Sequence, residues 1–187
     1  AQPLEVKIKK AIMLIQTFEK QALKKSPNGY YVAFSGGKDS IVLARLFEMS
    51  GVKIQLHYNN TTIDPPELYR FMRKEYPQVI WHNHGKSLPL EMVNHSSGAP
   101  TRQIRWCCEV YKEHGGEGYI KSTGVRATES PRRKGLWREV SVDRNTKDYI
   151  ICPILYWTDT DIWQFIKENN IPYCSLYDEG FKRLGCV

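Results

Sequence analysis

The sequence predicts an α/β protein, a single-domain parallel-sheet sandwich with helices on both faces. From residue 30 onward, short β-branched or aromatic runs alternate with segments of helical periodicity, the pattern that builds parallel sheets. Ser35-Gly36-Gly37 joins the first such run to the helical segment after it. The chain has 187 residues, of which 41% are hydrophobic and 25% charged, so it suits one globular core. It contains no internal repeat and no linker long enough to divide it.

Residues 1–29 form an amphipathic amino-terminal unit. Ile8, Ile12, Ile15, Phe18 and Ala22 recur at helical spacing between lysines, which predicts one helix over 4–25 that stops at Ser26-Pro27-Asn28-Gly29. Residues 30–187 then form the main domain. A strand over 30–34 leads through the glycine turn into a helix over 39–49, which Gly51 ends. A strand over 52–58 follows, then a helix over 65–76 with proline in its first turn, and a strand over 79–83. Residues 85–103, rich in Gly, Ser and Pro, read as a mobile loop across one end of the sheet. Beyond it come a helix over 104–114, strands over 120–125 and 149–154, and a helix over 159–169. Thr158 and Asp161 give that last helix a capping-box start, and Pro172 follows its end.

Charge and cysteine content narrow the function. With 27 Lys plus Arg against 20 Asp plus Glu, the net charge is +7, and it is unevenly placed. Residues 121–138 carry six basic side chains against one acidic, and residues 1–26 carry six against two. The first cluster suits a sulfate- or phosphate-binding loop, the second the solvated face of a helix. No apolar stretch approaches the roughly 20 residues that cross a bilayer, and no basic segment leads into an apolar export signal, so a soluble cytoplasmic protein without a membrane partner is expected. The start at Ala1 reads as a trimmed end. Five cysteines, two of them adjacent, make a poor disulfide framework. Cys152 and Cys174 read as small buried hydrophobes. His82 and His84 share a strand face, which could serve a metal but is more often ordinary packing.

The turn Ser35-Gly36-Gly37-Lys38-Asp39-Ser40 lies where backbone N–H groups and the dipole of the following helix converge on one point. Glycines allow an anion close to the backbone, Lys38 adds a point charge, and Ser35 and Ser40 add hydroxyl donors. The spacing is not that of a Walker A loop. This hexapeptide resembles the pyrophosphate loop of the adenine nucleotide alpha-hydrolase superfamily, whose Rossmann-like fold binds adenosine at the carboxyl ends of a five-stranded parallel sheet.

Three further segments resemble the sulfonucleotide (phosphoadenylyl sulfate, PAPS) reductases within that superfamily, so that the likeness covers residues 30–186. Asn60-Thr61-Thr62 with Pro66-Glu67 is similar to D-T-G-x-x-x-P-E, with Asn60 and Thr62 departing from Asp and Gly, and implies the ribose and adenine side of the site. Gly124-Val125-Arg126-Ala127-Thr128-Glu129-Ser130 with Arg132 and Arg133 is similar to a segment whose arginines face the phosphosulfate, while Glu129 orients Arg126. Residues 153–163, 171–181 and 185–186 match a P-L-x-x-W-T-x-x-D-V/I-W … I-P-Y-N-P-L-Y-D … G-C stretch, with Cys174 in place of Asn.

What the resemblance implies is an oxidoreductase that takes adenylyl sulfate or 3′-phosphoadenylyl sulfate, forms a thiosulfonate, and releases sulfite and an adenosine phosphate to a thioredoxin-like reductant. A homo-oligomer is expected. Cys107-Cys108 and Cys186 are similar to ligands of the four-iron four-sulfur cluster in one branch of these reductases. The alternatives for them are buried thiols or a zinc site. The fourth ligand and the family's nucleophilic E-C-G-x-H tail are not in this sequence, which is therefore read as incomplete at its carboxyl end. Two other functions fit the intact loop: an ATP pyrophosphatase that adenylates a target for sulfur insertion into nucleic acid, and a nucleotide-binding module without catalysis.

Overall fold

The structure, a computed structural model, describes residues 2–101, 103–104, 106–111, 115–129, 135–143 and 146–184, with the side chains of 108 and 109 excepted. Its centre is a six-stranded sheet of β1 (Tyr30–Ala33), β2 (Ile54–Asn60), β3 (Ile80–Asn83), β4 (Lys121–Ser122), β5 (Val140–Val142) and β6 (Tyr149–Ile151), in the order β3-β2-β1-β4-β6-β5. Every neighbouring pair is parallel except β5 against β6. The chain steps outward from β1 to β2 to β3, then returns to pair β4 with the other side of β1. Right-handed crossovers put the helices that connect the strands on opposite faces before and after this return, while the helix ahead of β1 and the last helix after β6 are not such connections. The crossovers also leave a crevice at the carboxyl end of β1, where the strand order reverses.

One face carries α1 (Leu4–Thr17), α3 (Lys38–Ser50) and α7 (Asp159–Glu168), which pack side by side. α3 is apolar around most of its circumference, with Ile41, Val42, Leu43, Ala44, Leu46 and Phe47 all buried, because it has the sheet below and helices on both flanks. Leu4, Ala11 and Ile15 of α1 belong to the same core as Val32 and Phe165. Buried Tyr30 donates its hydroxyl to the Ile15 carbonyl at 2.5 Å, fastening α1 to β1. Lys7 pairs with Asp161 in the first turn of α7. Burial works to raise the Asp161 carboxyl, but Lys7 and the Thr158 N–H outweigh it and hold the group below the usual carboxylate range. Thr158 and Asp161 form the expected capping box.

Several elements differ from expectation. The helix over 4–25 is two helices, α1 and α2 (Glu19–Lys25), meeting at Phe18. Thr17 bonds its hydroxyl back to the Met13 carbonyl at 2.7 Å, a contact that bends helices, and Phe18 turns out to meet the edge of Tyr149. The stretch over 85–103 contains α5 (Leu88–Asn94), whose Pro89 sits in the first turn, where proline needs no hydrogen-bond partner. α4 (Pro66–Glu75) is as expected; of the helix expected over 104–114, Ile104 is not helical, α6 (Trp106–Tyr111) is, and residues 105 and 112–114 lie outside the described residues. β4 is short: Thr123 still donates its N–H to the Ile151 carbonyl at 3.2 Å, and the chain then turns away, with Gly124 and Val125 facing the crevice. The sheet gains β5, an antiparallel edge strand of three residues, so it has six strands rather than five.

Replacing Phe165, which is buried on α7 against Trp157, by alanine is expected to cost about 3–5 kcal/mol in denaturant unfolding. Exposed Lys167 on the same helix tolerates alanine within about 0.5 kcal/mol. Similar losses at the two positions would contradict this packing of α7.

Candidate functional site

A cavity of about 300 Å³ opens at the carboxyl ends of β1, β2 and β4. Its wall includes Phe34, Ser35, Gly37, Lys38, Asp39 and Ser40 from the first turn, His57, Asn59, Thr61 and Asp64 from β2 and the turn after it, Thr123 to Val125 and Glu129 beyond β4, and Tyr177 and Arg183.

The first turn is shaped by close packing. Gly36 has φ +70, and a Cβ there would lie 2.7 Å from the Met72 side chain, so only glycine lets the chain reverse against α4. Gly37 is the N-cap of α3 and offers no side-chain acceptor, which leaves the amino end of a 13-residue helix facing the cavity. The Lys38 N–H donates to the Tyr177 hydroxyl at 2.8 Å, a phenol whose pKa burial pushes up to about 12. Ser40 donates to the Gly37 carbonyl at 2.8 Å, and Ser35 approaches Ser40 at 3.4 Å.

Four charges converge beside this turn. Arg126, 3% exposed, places Nε 2.7 Å from Asp39 Oδ1 as an ion pair whose N–H is not aligned for a hydrogen bond, and donates from Nη2 to Asp159 Oδ1 at 2.9 Å. Lys38, also buried, places Nζ 2.8 Å from the Lys182 carbonyl and 3.5 Å from the same Asp159 oxygen. Burial raises the Asp39 carboxyl despite the opposing pull of Arg126 and Lys38. The approach depends on Gly124: a Cβ there would come within 3.3 Å of the Asp39 backbone. The Glu129 carboxylate accepts from the Arg126 backbone N–H at 3.4 Å, so it fixes the turn that carries Arg126 rather than its guanidinium.

The segment expected on the ribose and adenine side divides. Thr61 lines the cavity and donates to Asp64 Oδ2 at 2.9 Å, an oxygen that also accepts the Tyr58 hydroxyl at 2.5 Å. Asn60 instead bonds Asn83 and Tyr69, and Thr62, with φ 65, accepts from the Leu88 N–H at 2.8 Å. Both lie outside the cavity lining. Ser130, Arg132, Arg133 and Cys186 lie outside the described residues, as does the Cys108 side chain.

Cys107, on α6, packs with Leu88, Trp106 and Tyr111. Among the described residues no group of three or more His, Cys, Asp or Glu is arranged to hold a metal ion; of the three cysteines expected at a cluster, only the Cys107 side chain falls within them. Cys152 and Cys174 are buried as expected, and burial pushes the Cys152 thiol up to about 12, which makes it a poor nucleophile. Among the described residues no helix is long and apolar enough to cross a membrane.

His57, Asn59, Asp64, Tyr177, Asp159 and Arg183 have no part in the sequence-based site. His57 Nδ1 lies 2.9 Å from His82 Nε2, and its ring stacks on Tyr31 with centroids 3.9 Å apart. His82 thus turns to His57, while the His84 ring meets Tyr111. The signal available in sequence was the period-two spacing of His57 and Asn59 at the end of a strand feeding the crevice.

This arrangement, a helix amino terminus and buried cations at the strand-order reversal of an open α/β sheet, has the chemistry to hold an anion and stands on an adenine nucleotide alpha-hydrolase-like fold. A profile of the phosphoadenosine phosphosulfate reductase domain matches residues 29–187, and the chain belongs to that family. It is 31% identical over 171 residues to an adenosine 5′-phosphosulfate reductase of Oceanobacillus iheyensis, covering 83% of this chain and 68% of that one. It is 30% identical to an uncharacterized protein of Methanocaldococcus jannaschii, covering 95% of this chain but 45% of the other. The chain thus spans about two thirds of the first relative and under half of the second. Among solved structures, the phosphoadenylyl-sulfate reductase of Candida auris in its phosphate complex superposes with TM-score 0.64 at 18% identity, covering 91% of this chain and 86% of that one. The FMN adenylyltransferase of Candida glabrata with FAD and inorganic pyrophosphate gives 0.66 at 19%, covering 100% and 66%. At these identities the likeness is one of fold.

Burial first, and the neighbouring His82 second, lower the His57 pKa from 6.5 to about 4. Between those pH values the unfolded chain binds more protons at this position, so stability rises with pH across the window, by at most about 1.4 kcal/mol per unit. The contribution is complete above 6.5 and is lost as pH falls toward 4. Measured by denaturant unfolding from pH 4.5 to 7, the wild type is expected to lose stability relative to His57→Asn as pH falls. Parallel curves would show that the fold does not hold this imidazole neutral.

Proposed function

We propose that this chain is the nucleotide-binding part of a sulfonucleotide reductase-type enzyme that takes adenylyl sulfate or its 3′-phosphorylated form. The observation that carries the reading is the 2.7 Å contact between Arg126 and Asp39, because it joins the loop after β4 to the start of α3. In this reading the phosphate lies at the amino end of α3 over Ser35 to Ser40, with Lys38 as its counter-charge. The sulfate lies toward Arg126, with Ser130, Arg132 and Arg133 as further donors. Thr61 closes the sugar side, with Asn60 and Thr62 behind it.

The reaction places a cysteine thiolate on the sulfate sulfur. An S–S bond forms, the S–O bond to the phosphate breaks, and the adenosine phosphate leaves with that electron pair. A thioredoxin-like dithiol then attacks the cysteine sulfur and frees sulfite, its second thiol closing the disulfide that accounts for the two electrons. The attacking thiolate is assigned to none of the described cysteines. Cys107, Cys108 and Cys186 keep their assignment as cluster ligands from the resemblance, and no step is routed through them.

A second reading, an ATP pyrophosphatase that adenylates a nucleic acid for sulfur insertion, is favoured by the complete Ser-Gly-Gly-Lys-Asp-Ser turn at a helix amino terminus. It requires pyrophosphate release from ATP.

Calorimetry is expected to show tighter binding of adenylyl sulfate or its 3′-phosphorylated form than of AMP, with no ATP turnover. Arg126→Lys keeps the charge but loses the forked donor set, and is expected to weaken sulfonucleotide binding about tenfold. Equal affinity for AMP would refute the reductase reading, and nucleic-acid-stimulated pyrophosphate release that depends on Lys38 would establish the second.

A further inference from the structure

We propose that Asp159 is an internal stand-in for the bound anion: its carboxylate holds the position between Lys38 and Arg126 that an anionic group of the nucleotide takes, and so sets the affinity of the site. The inference rests on the reading that the anion is bound by these two cations.

One oxygen, Asp159 Oδ1, faces both Arg126 Nη2 at 2.9 Å and Lys38 Nζ at 3.5 Å. A single oxygen shared by two cations is the contact that a phosphate or sulfate oxygen makes. Neither cation is open to solvent, at 3% and 5% exposure, so an arriving anion meets them only where a partner can move aside. The two acidic partners differ in that respect. The Asp39 side chain is 22% exposed, and the Gly124 backbone closes over that residue. The Asp159 side chain is 63% exposed at the first residue of α7, so it can rotate into water without moving the helix. Exposed carboxylates hold their partners weakly.

The charges then explain why Asp159 is needed. Lys38, Arg126, Asp39 and Asp159 together are neutral, and a buried cation left without its partner is costly. When Asp159 swings out, the cluster carries one positive charge toward the cavity, which an anion neutralises. Glu129 keeps its carboxylate on the Arg126 backbone N–H and does not substitute for it. Binding is therefore an exchange of one anion for another, and only a ligand that outcompetes an intramolecular carboxylate takes the site.

Asp159→Asn preserves shape and the acceptor oxygen but removes the charge. It is expected to bind pyrophosphate and adenylyl sulfate about two- to fivefold more tightly than the wild type in calorimetry at fixed ionic strength. Asp178→Asn, an exposed carboxylate beside Tyr177 that bonds Tyr173, is expected to leave both affinities unchanged. Unchanged or weaker binding by Asp159→Asn, no pyrophosphate binding by either protein, or an equal gain in Asp178→Asn would each overturn the proposal. Tighter pyrophosphate binding by Asp159→Asn without any preference for adenylyl sulfate over AMP would uphold it and refute the reductase reading instead.

Discussion

The contact between Arg126 and Asp39 is the constraint around which the site is arranged. A guanidinium out of water loses several kcal/mol of hydration, which only close partners of opposite charge offset. Here the acceptors come from two helix starts, Asp39 on α3 and Asp159 on α7, with weaker contacts to Thr128 and the Trp157 carbonyl. The loop after β4, the glycine turn after β1 and the beginning of α7 are therefore held in one geometry by a single side chain. Such pairs contribute little net stability, but they fix which segments meet.

Backbone packing makes the contact available. Gly36 lets the first turn lie against α4, and Gly124 lets the loop after β4 lie against the first turn of α3. α3 is wedged between the sheet and two helices, so its amino end cannot drift. The strand order then does the rest, since β1 is the strand on whose two sides the chain runs in opposite directions. Tyr177 closes the arrangement by occupying the Lys38 N–H from a 3₁₀ turn (Ser175–Tyr177) far along the chain.

Much of this was legible in the sequence where the signal is local. β1 is an aromatic and β-branched run, β2 and β3 carry aliphatic and aromatic residues between turns, α3 and α7 show clear periodicity, and the capping box of α7 is written in four residues. β5 escaped because a three-residue strand has no pattern of its own and exists only against β6. α5 escaped because its proline and flanking glycines read as loop, although proline is at home in a first turn. In the site, the glycine turn and Arg126 stood out by chemistry. Asp159 did not, and Asp39 did so only as a member of the turn, because both meet Arg126 through tertiary packing that no spacing encodes. The His57–His82 contact is likewise a product of strand register, which aligns β2 with β3.

The salt link from Lys7 to Asp161 ties the amino-terminal helix to more than the core. Asp161 is also the residue that caps α7, two positions after Asp159, so one carboxylate serves as both a helix clasp and an anchor for α1. α1 thus works as a brace against the first turn of α7. It keeps the start of α7 stationary while one exposed side chain there remains at liberty to turn, which is the mechanical condition for a hinge confined to a single residue.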